Sequence, residues 1–150
     1  MANTQAVCTS FKTELMNGIH ALGTTVVRGA TTADSFKAAL YLATATVNAS
    51  TTVYSSTNEV SGTGYTAAGT AFTWSAPSAT GTTAFTTPSA NIAWTTVTLA
   101  TSFDCVLLYN TTQSNKAVAV YTFGATTVTA GNFTLTMPTN DSTNGLLRLA

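Results

Sequence analysis

The chain has 150 residues, a length typical of one domain, and only 7% of them are charged, far below the roughly 25% that is usual for soluble domains. The net charge is zero and the basic residues are scattered singly, which argues against disorder and against nucleic-acid binding. About a quarter of the residues are threonine, whose branched Cβ favours pleated sheet over helix. A surface so poor in charge is expected to meet other protein.

The N-terminal residues lack the positive charge and apolar run of a secretion signal, and no apolar stretch approaches the roughly 20 residues that span a bilayer. We therefore expect a soluble chain that is made in a cytoplasm. Cys8 and Cys105 show no CxxC spacing, which predicts two free thiols.

The first predicted element is a helix. Over residues 3–22 the apolar side chains recur at spacings of three and four, the pattern of one helical face: Val7, Phe11, Leu15, Ile19 and Leu22. Gly23 stands where a helix commonly stops. The sequence thus predicts one domain, 1–150, in which an N-terminal helix or arm (1–22) precedes a β-sandwich (24–150).

Short runs of β-formers follow and predict eight strands. They are Ser35–Thr46, Tyr65–Trp74, Thr82–Thr87, Ile92–Leu99, Phe103–Tyr109, Ala117–Phe123, Phe133–Met137 and Leu146–Leu149. The first of these runs has an ambiguous pattern, because it alternates like a strand but contains good helix formers. The fold class predicted from this series is all-β, an antiparallel two-sheet β-sandwich with one short N-terminal helix.

The segments between the strands carry turn signals. The run Phe103–Tyr109 is apolar on both faces and predicts a central strand, whereas Phe133–Met137 alternates with threonine and predicts a strand covered on one face. The polar stretch 46–63 predicts a long loop, a common place for binding. Turn formers cluster at Ser61–Gly64, Asn110–Asn115, Gly131–Asn132 and Asn140–Gly145.

The sequence contains no recognisable catalytic or metal-binding motif. His20 is the only histidine and is expected to be structural, at the margin of the helix. A hydrolase would need two of the five scattered carboxylates to converge on folding. Asn140–Gly145 supplies one carboxylate, so a turn is favoured over a calcium site. We expect no catalytic residue, no cofactor and no metal.

A second possibility is a binding platform of exposed aromatic side chains for carbohydrate or peptide. Its members would be Phe72, Trp74, Phe85, Trp94 and Tyr54. The alternative, that these rings belong to the core, is the more common situation for aromatic residues.

Several strings of this sequence are distinctive. They are FKTELMNGIH at 11–20, DSFKAALY at 34–41, NEVSGTGY at 58–65, SNKAVAV at 114–120 and TAGNFTL at 129–135. Together they resemble a family of small structural proteins of tailed-bacteriophage and prophage virions, and the resemblance covers most of the chain.

Some members of that family look like jelly-roll capsid cement (decoration) proteins. The resemblance therefore implies a jelly-roll-like sandwich and a homodimer or homotrimer. It also implies a place on the capsid surface of a virion assembled in the bacterial cytoplasm, with the major capsid protein as partner. A tail, collar or head-fibre component, with host-surface binding, is the alternative that the same resemblance leaves open. Neither role involves nucleic acid or membrane.

Under the cement hypothesis, the N-terminal helix or the loop 46–63 grips the capsid. The candidate contacts are three apolar residues of the helix and three residues in or beside the loop: Val7, Phe11, Leu15, Tyr54, Glu59 and Tyr65.

Overall fold

The computed structural model describes residues 3–16, 19–20, 22–23 and 33–149. Within them the fold is all-β, with two antiparallel sheets, as the series of strand patterns predicts. In chain order the elements are β1 (Ala6–Val7), α1 (Thr9–Met16), β2 (Phe36–Leu42), β3 (Thr70–Phe72), β4 (Ser78–Thr80), β5 (Thr83–Thr86), β6 (Ile92–Asn110), β7 (Lys116–Leu135) and β8 (Leu147–Leu149). The five-stranded sheet has the order β1-β7-β6-β2-β3, and the small sheet has the order β4-β5-β8.

One long hairpin, β6 and β7, forms the centre of the fold. Its turn lies at 111–115, as predicted, and Asn110 pairs with Lys116 at its base. Four predicted strands are thus two continuous ones, and the predicted turn at Gly131–Asn132 lies inside β7. The ladder passes this point because the Asn132 Oδ1 accepts the backbone N–H of Thr96 at 2.9 Å, a side-chain bond that sequence patterns do not reveal.

The hairpin has irregular pairing near its middle. Register shifts separate the pairs Leu99–Val128, Phe103–Thr126 and Cys105–Thr122. Such bulges bend a strand and increase its twist. Beyond them the ring of Phe133 lies 4.9 Å from that of Phe103 and 5.1 Å from that of Phe123, so the far half of the hairpin packs back on the near half. This arrangement is consistent with a β-sandwich.

β2 and the adjoining part of β6 form the deepest core. The predicted central strand is confirmed, because residues 105–110 of β6 are all buried between β7 and β2. Gly69, just before β3, has φ +71° and lies so close to the Ala38 carbonyl that a Cβ there would be 1.9 Å from its oxygen. Only glycine fits both demands. The predicted loop 46–63 is also confirmed, since it contains isolated bridges but no strand.

The N-terminal region differs from the predicted helix over 3–22. Ala6 and Val7 pair with Val120 and Ala119 as the edge strand β1, and the helical segment α1 is confined to Thr9–Met16. The free edge of β7 explains the difference, because its backbone groups are satisfied only if the arriving chain is extended. Residues 17–18 and 21 of the predicted helix lie outside the described residues.

Candidate functional site

An apolar cleft of about 660 Å³ lies between the small sheet and the N-terminal arm, by which we mean residues 3–16 with β1 and α1. Among its described lining residues there is no carboxylate, and Arg148 is the one permanently charged side chain. The lining consists of Val7, Phe11, Leu15, His20, Leu22, Pro77, Ala84, Phe85, Thr86, Leu147, Arg148 and Leu149. A volume of this size is in the range of ligand and peptide sites.

Three of the predicted contact residues form the arm's wall of this cleft. Val7 lies on β1, and Phe11 and Leu15 lie one turn apart on α1, so that they share a helical face. Phe11 is buried, whereas Val7 and Leu15 are half-buried. On the opposite wall Leu149 of β8 is 59% exposed, although it is a large apolar side chain. The cleft therefore presents apolar surface on both sides.

A buried polar network fixes the arm to the central hairpin. Lys116 Nζ of β7 lies 2.6 Å from Glu14 Oε1 of α1, and the other oxygen, Oε2, lies 2.7 Å from His20 Nε2. The His20 ring is fully buried and contacts the Phe11 ring at a centroid distance of 4.7 Å. His20 is thus structural, as predicted, but it lies beyond the end of α1 and not on the helix.

The network continues into the turn of the hairpin. The Asn110 side-chain amide donates to Asp34 Oδ2 at 2.8 Å and lies 3.0 Å from His20 Nδ1. Its carbonyl oxygen accepts the backbone N–H of Gln113 at 3.1 Å. Asn110 is fully buried, and both the NH₂ and the oxygen of its side chain are hydrogen-bonded, so the arrangement of this network is fixed.

The charges of the network are set by their surroundings. Burial favours the neutral form of Glu14, but the hydrogen bonds from Lys116 and His20 outweigh it and lower the pKa of this carboxyl. Burial lowers the pKa of His20, and the contact with Glu14 only partly opposes this shift. At neutral pH the network therefore holds an ionised Glu14 and a neutral imidazole. The two carboxylates that approach this region, Glu14 and Asp34, both accept hydrogen bonds from protein groups.

The other three predicted contact residues come together in a separate cluster. Glu59 accepts hydrogen bonds from the hydroxyls of Tyr54 at 2.6 Å and Tyr65 at 2.8 Å. The Tyr65 oxygen in turn accepts the backbone N–H of Leu40 in β2 at 3.0 Å, and the Tyr54 ring stacks on that of Tyr109 at 4.7 Å. These polar atoms form hydrogen bonds within the molecule, and the bonds anchor the loop 46–63 to the core.

The structure contradicts the exposed aromatic platform. Trp74 is 1% exposed, Trp94 5% and Phe85 7%, so these rings are part of the interior. Two further residues matter at the site, Asn110 and Lys116. Their sequence signal is only that of a turn former and a scattered charge, because their contacts join residues about 100 positions apart.

Among the residues described, no three histidine, cysteine or acidic side chains are grouped as metal ligands would be. Asp141, in the turn considered for calcium, accepts the backbone N–H groups of Thr143 at 2.8 Å and Asn144 at 2.7 Å, so its oxygens stabilise its own turn.

The two cysteines are free and buried, as predicted. In the described part of the chain, no helix has the length and apolarity needed to cross a membrane. No family model, curated protein or solved structure matches the chain.

Proposed function

We propose that this chain is a structural protein of a tailed-phage particle, a capsid cement or decoration protein that binds and stabilises the lattice of the major capsid protein. The observation that carries the proposal is the apolar cleft between the N-terminal arm and the small sheet. Among the described residues its walls offer mostly apolar area, and the polar side chains there are Arg148, His20 and Thr86. Such a site suits binding by contact and not turnover.

The partner segment in this cleft is apolar, and it is neutral or acidic where it meets Arg148. The described lining has no carboxylate to attract a basic partner, and a cation beside Arg148 would be repelled. Arg148 itself donates to the Thr143 carbonyl, so its head group is held at the rim. An extended apolar segment of the major capsid protein meets these requirements.

The small number of charged side chains, and the internal hydrogen bonds of the carboxylates, support the same role. All five carboxylates accept hydrogen bonds within the chain: Glu14 from Lys116 and His20, Asp34 from Asn110 and Gln113, Glu59 from two tyrosines, Asp104 from Asn3, and Asp141 from its own turn. Because the net charge is zero and only 7% of the residues are charged, copies of the chain can crowd on a shell with little mutual repulsion. Many weak contacts repeated over a lattice then sum to strong attachment.

The jelly-roll strand order and the dimer or trimer are parts of this proposal that rest on the resemblance. A symmetric oligomer would present two or three clefts to neighbouring shell subunits at once. The alternative role, in the tail, collar or head fibre, uses the same cleft on a different partner.

Copy number in purified particles separates these roles. Quantitative mass spectrometry against the major capsid protein should give a near-stoichiometric ratio for a cement protein. A few copies per particle would place the chain in the tail or collar, and its absence from particles would overturn the virion role.

A substitution at the rim tests the cleft itself. Leu149→Glu adds a charge to an exposed apolar wall residue, so folding should be unaffected while attachment to shells weakens at least about tenfold, because the charge is desolvated by an apolar partner. Thr127→Glu adds the same charge at an exposed position of β7 outside the cleft and serves as the control. Equal attachment of both variants would exclude the cleft as the contact. These substitutions are preferable to removal of residues 1–22, since Cys8 and Phe11 belong to the core.

A further inference from the structure

We propose that His20 is a proton-operated latch, which holds the N-terminal arm closed while its imidazole is neutral and releases the arm on acidification. The latch is a property of the chain alone. Its consequence for a partner, loss of one wall of the cleft, rests on the proposed function, because Phe11, Leu15 and His20 all line that wall.

The hydrogen bonds around Asn110 dictate the protonation state of His20. The side-chain amide of Asn110 donates to Asp34 and its carbonyl accepts from Gln113, so its orientation is fixed. A flipped amide would turn its oxygen toward the Asp34 carboxylate and its NH₂ toward the N–H of Gln113. Two acceptors and two donors would then face each other, and both hydrogen bonds would be lost. The NH₂ group that faces His20 Nδ1 can only donate, and Nδ1 must therefore carry a lone pair.

The second ring nitrogen is then the one that bears hydrogen. Nε2–H donates to Glu14 Oε2 at 2.7 Å, so one neutral tautomer satisfies both contacts. A proton added at Nδ1 would point at the NH₂ of Asn110, so the contact between His20 and Asn110 would become repulsive. This contact joins His20, and through Glu14 the arm, to the hairpin turn. The His20 side chain is fully buried, so the added charge would also lose its hydration.

The charged groups that face the ring only partly offset an added proton. Glu14, from α1, is already paired with Lys116 of β7 through its other oxygen. Asp34, ahead of β2, accepts from the Asn110 amide that lies against the ring and also accepts from Gln113. An imidazolium would share Glu14 with the Lys116 ammonium. Burial lowers the pKa of His20, opposed by Glu14 and Asp34 and reinforced by Lys116, in agreement with this geometry.

The direction of the pH effect follows from that shift. The stability that a neutral His20 contributes is present in full above its ordinary pKa of 6.5 and is lost as the pH falls toward the lower folded-state value. The open fraction of the arm should increase about tenfold for each pH unit in that window and then level off. Acid thus opens the cleft by detaching the arm with its edge strand β1, while β7, β6, β2 and β3 stay paired.

Cys8 offers a direct readout of the arm, because it lies between β1 and α1 and is 0% exposed. In a Cys105→Ala background, the labelling rate of Cys8 by 4,4′-dithiodipyridine, which reacts with thiols in acid, should rise with falling pH as described. In a Cys8→Ala background, Cys105 in β6 should stay protected over the same range. A flat Cys8 profile would overturn the latch, and so would parallel exposure of both thiols, which would indicate global unfolding.

Two variants distinguish titration of His20 from loss of packing. His20→Gln keeps an acceptor for Asn110 and a donor for Glu14 but cannot be protonated, so its Cys8 profile should be flat. Lys116→Met leaves Glu14 free to balance an imidazolium and should raise the midpoint of the single histidine signal in an NMR titration. An unchanged midpoint would refute the charge argument. These measurements need no partner, so their failure would leave the proposed function to be judged by copy number.

Discussion

Glu59 shows how a single side chain can anchor a loop that has no strand of its own. Its carboxylate accepts two tyrosine hydroxyls, from Tyr54 within the loop 46–63 and from Tyr65 beyond it. Tyr65 also accepts the N–H of Leu40, which is fully buried in β2. Burial and the nearby carboxylate raise the pKa of both phenols, so both donate throughout the physiological range.

These contacts predict unequal effects for two similar substitutions. Tyr54→Phe removes one hydrogen bond to Glu59 and should lower the free energy of unfolding by about 1 kcal/mol. Tyr65→Phe also leaves the buried N–H of Leu40 without an acceptor, so its cost should be larger, about 2–3 kcal/mol. Urea titrations of the two variants measure this difference. Equal losses would mean that the N–H of Leu40 finds another acceptor.

The stabilising effect of Tyr65 has a definite alkaline limit. Because burial raises the folded-state pKa of Tyr65, its contribution is present in full below the ordinary value of 10 and is lost as the pH rises through that raised value. The difference in stability between the wild type and Tyr65→Phe should therefore narrow above about pH 10.

At the scale of elements, the bent hairpin of β6 and β7 depends on a cluster of rings. Phe133 lies in the far half of the hairpin and contacts Phe103, Phe123 and Trp94 at centroid distances of 4.9, 5.1 and 5.8 Å. The bulges bend the ladder, but bending alone does not bring its two halves into contact. The ring contacts select the folded-back shape.

Phe133→Ala should therefore destabilise the chain by about 2–4 kcal/mol, near the lower end for buried phenylalanine because the ring is half-buried. Thr134→Ala, at the exposed neighbouring position, should change stability by less than about 0.5 kcal/mol. Chemical denaturation followed by tryptophan fluorescence measures both. A small effect of the phenylalanine substitution would show that the far half of the hairpin does not need this cluster.

Elements with a strong local pattern could be predicted from the sequence, and those decided by tertiary contacts could not. The short runs of β-formers identify β2 and β8, and the run that is apolar on both faces identifies the buried part of β6, to within a few residues. The helical pattern over 3–22 fails at Ala6–Val7, where the edge of β7 supplies hydrogen-bond partners that a single-segment analysis does not contain. β4, with the sequence SAT, has no pattern at all and is a strand only because β5 lies beside it.

The candidate site was predictable to a similar extent. The apolar residues predicted as contacts, Val7, Phe11 and Leu15, do lie on one wall of the cleft, although Val7 comes from β1 and not from a helix. The opposite wall comes from β5 and β8, about 70 and 130 residues later, and no local pattern joins them to the arm. The same holds for His20 and Asn110, whose contact spans 90 residues.

At the scale of the whole molecule, charge is confined to a few places. Residues 60–103 and 117–140 contain no charged side chain, and together they include the small-sheet strands β4 and β5 and most of the central hairpin. Exposed threonines such as Thr95, Thr127 and Thr134 keep these surfaces polar without charge. A partner that covers such surfaces gains from shape and apolar burial, and little from long-range attraction.

Attachment to shells, under the proposed function, should therefore depend weakly on salt. Between about 0.1 M and about 1 M salt the Debye length falls from about 10 Å to about 3 Å, which removes most attraction between exposed charges. An apolar contact in the cleft persists under these conditions, and the one rim charge, Arg148, can account for only a small loss. Co-sedimentation of the protein with shells across this range measures the effect. Release at high salt would show that attachment depends on the few charges and not on the cleft.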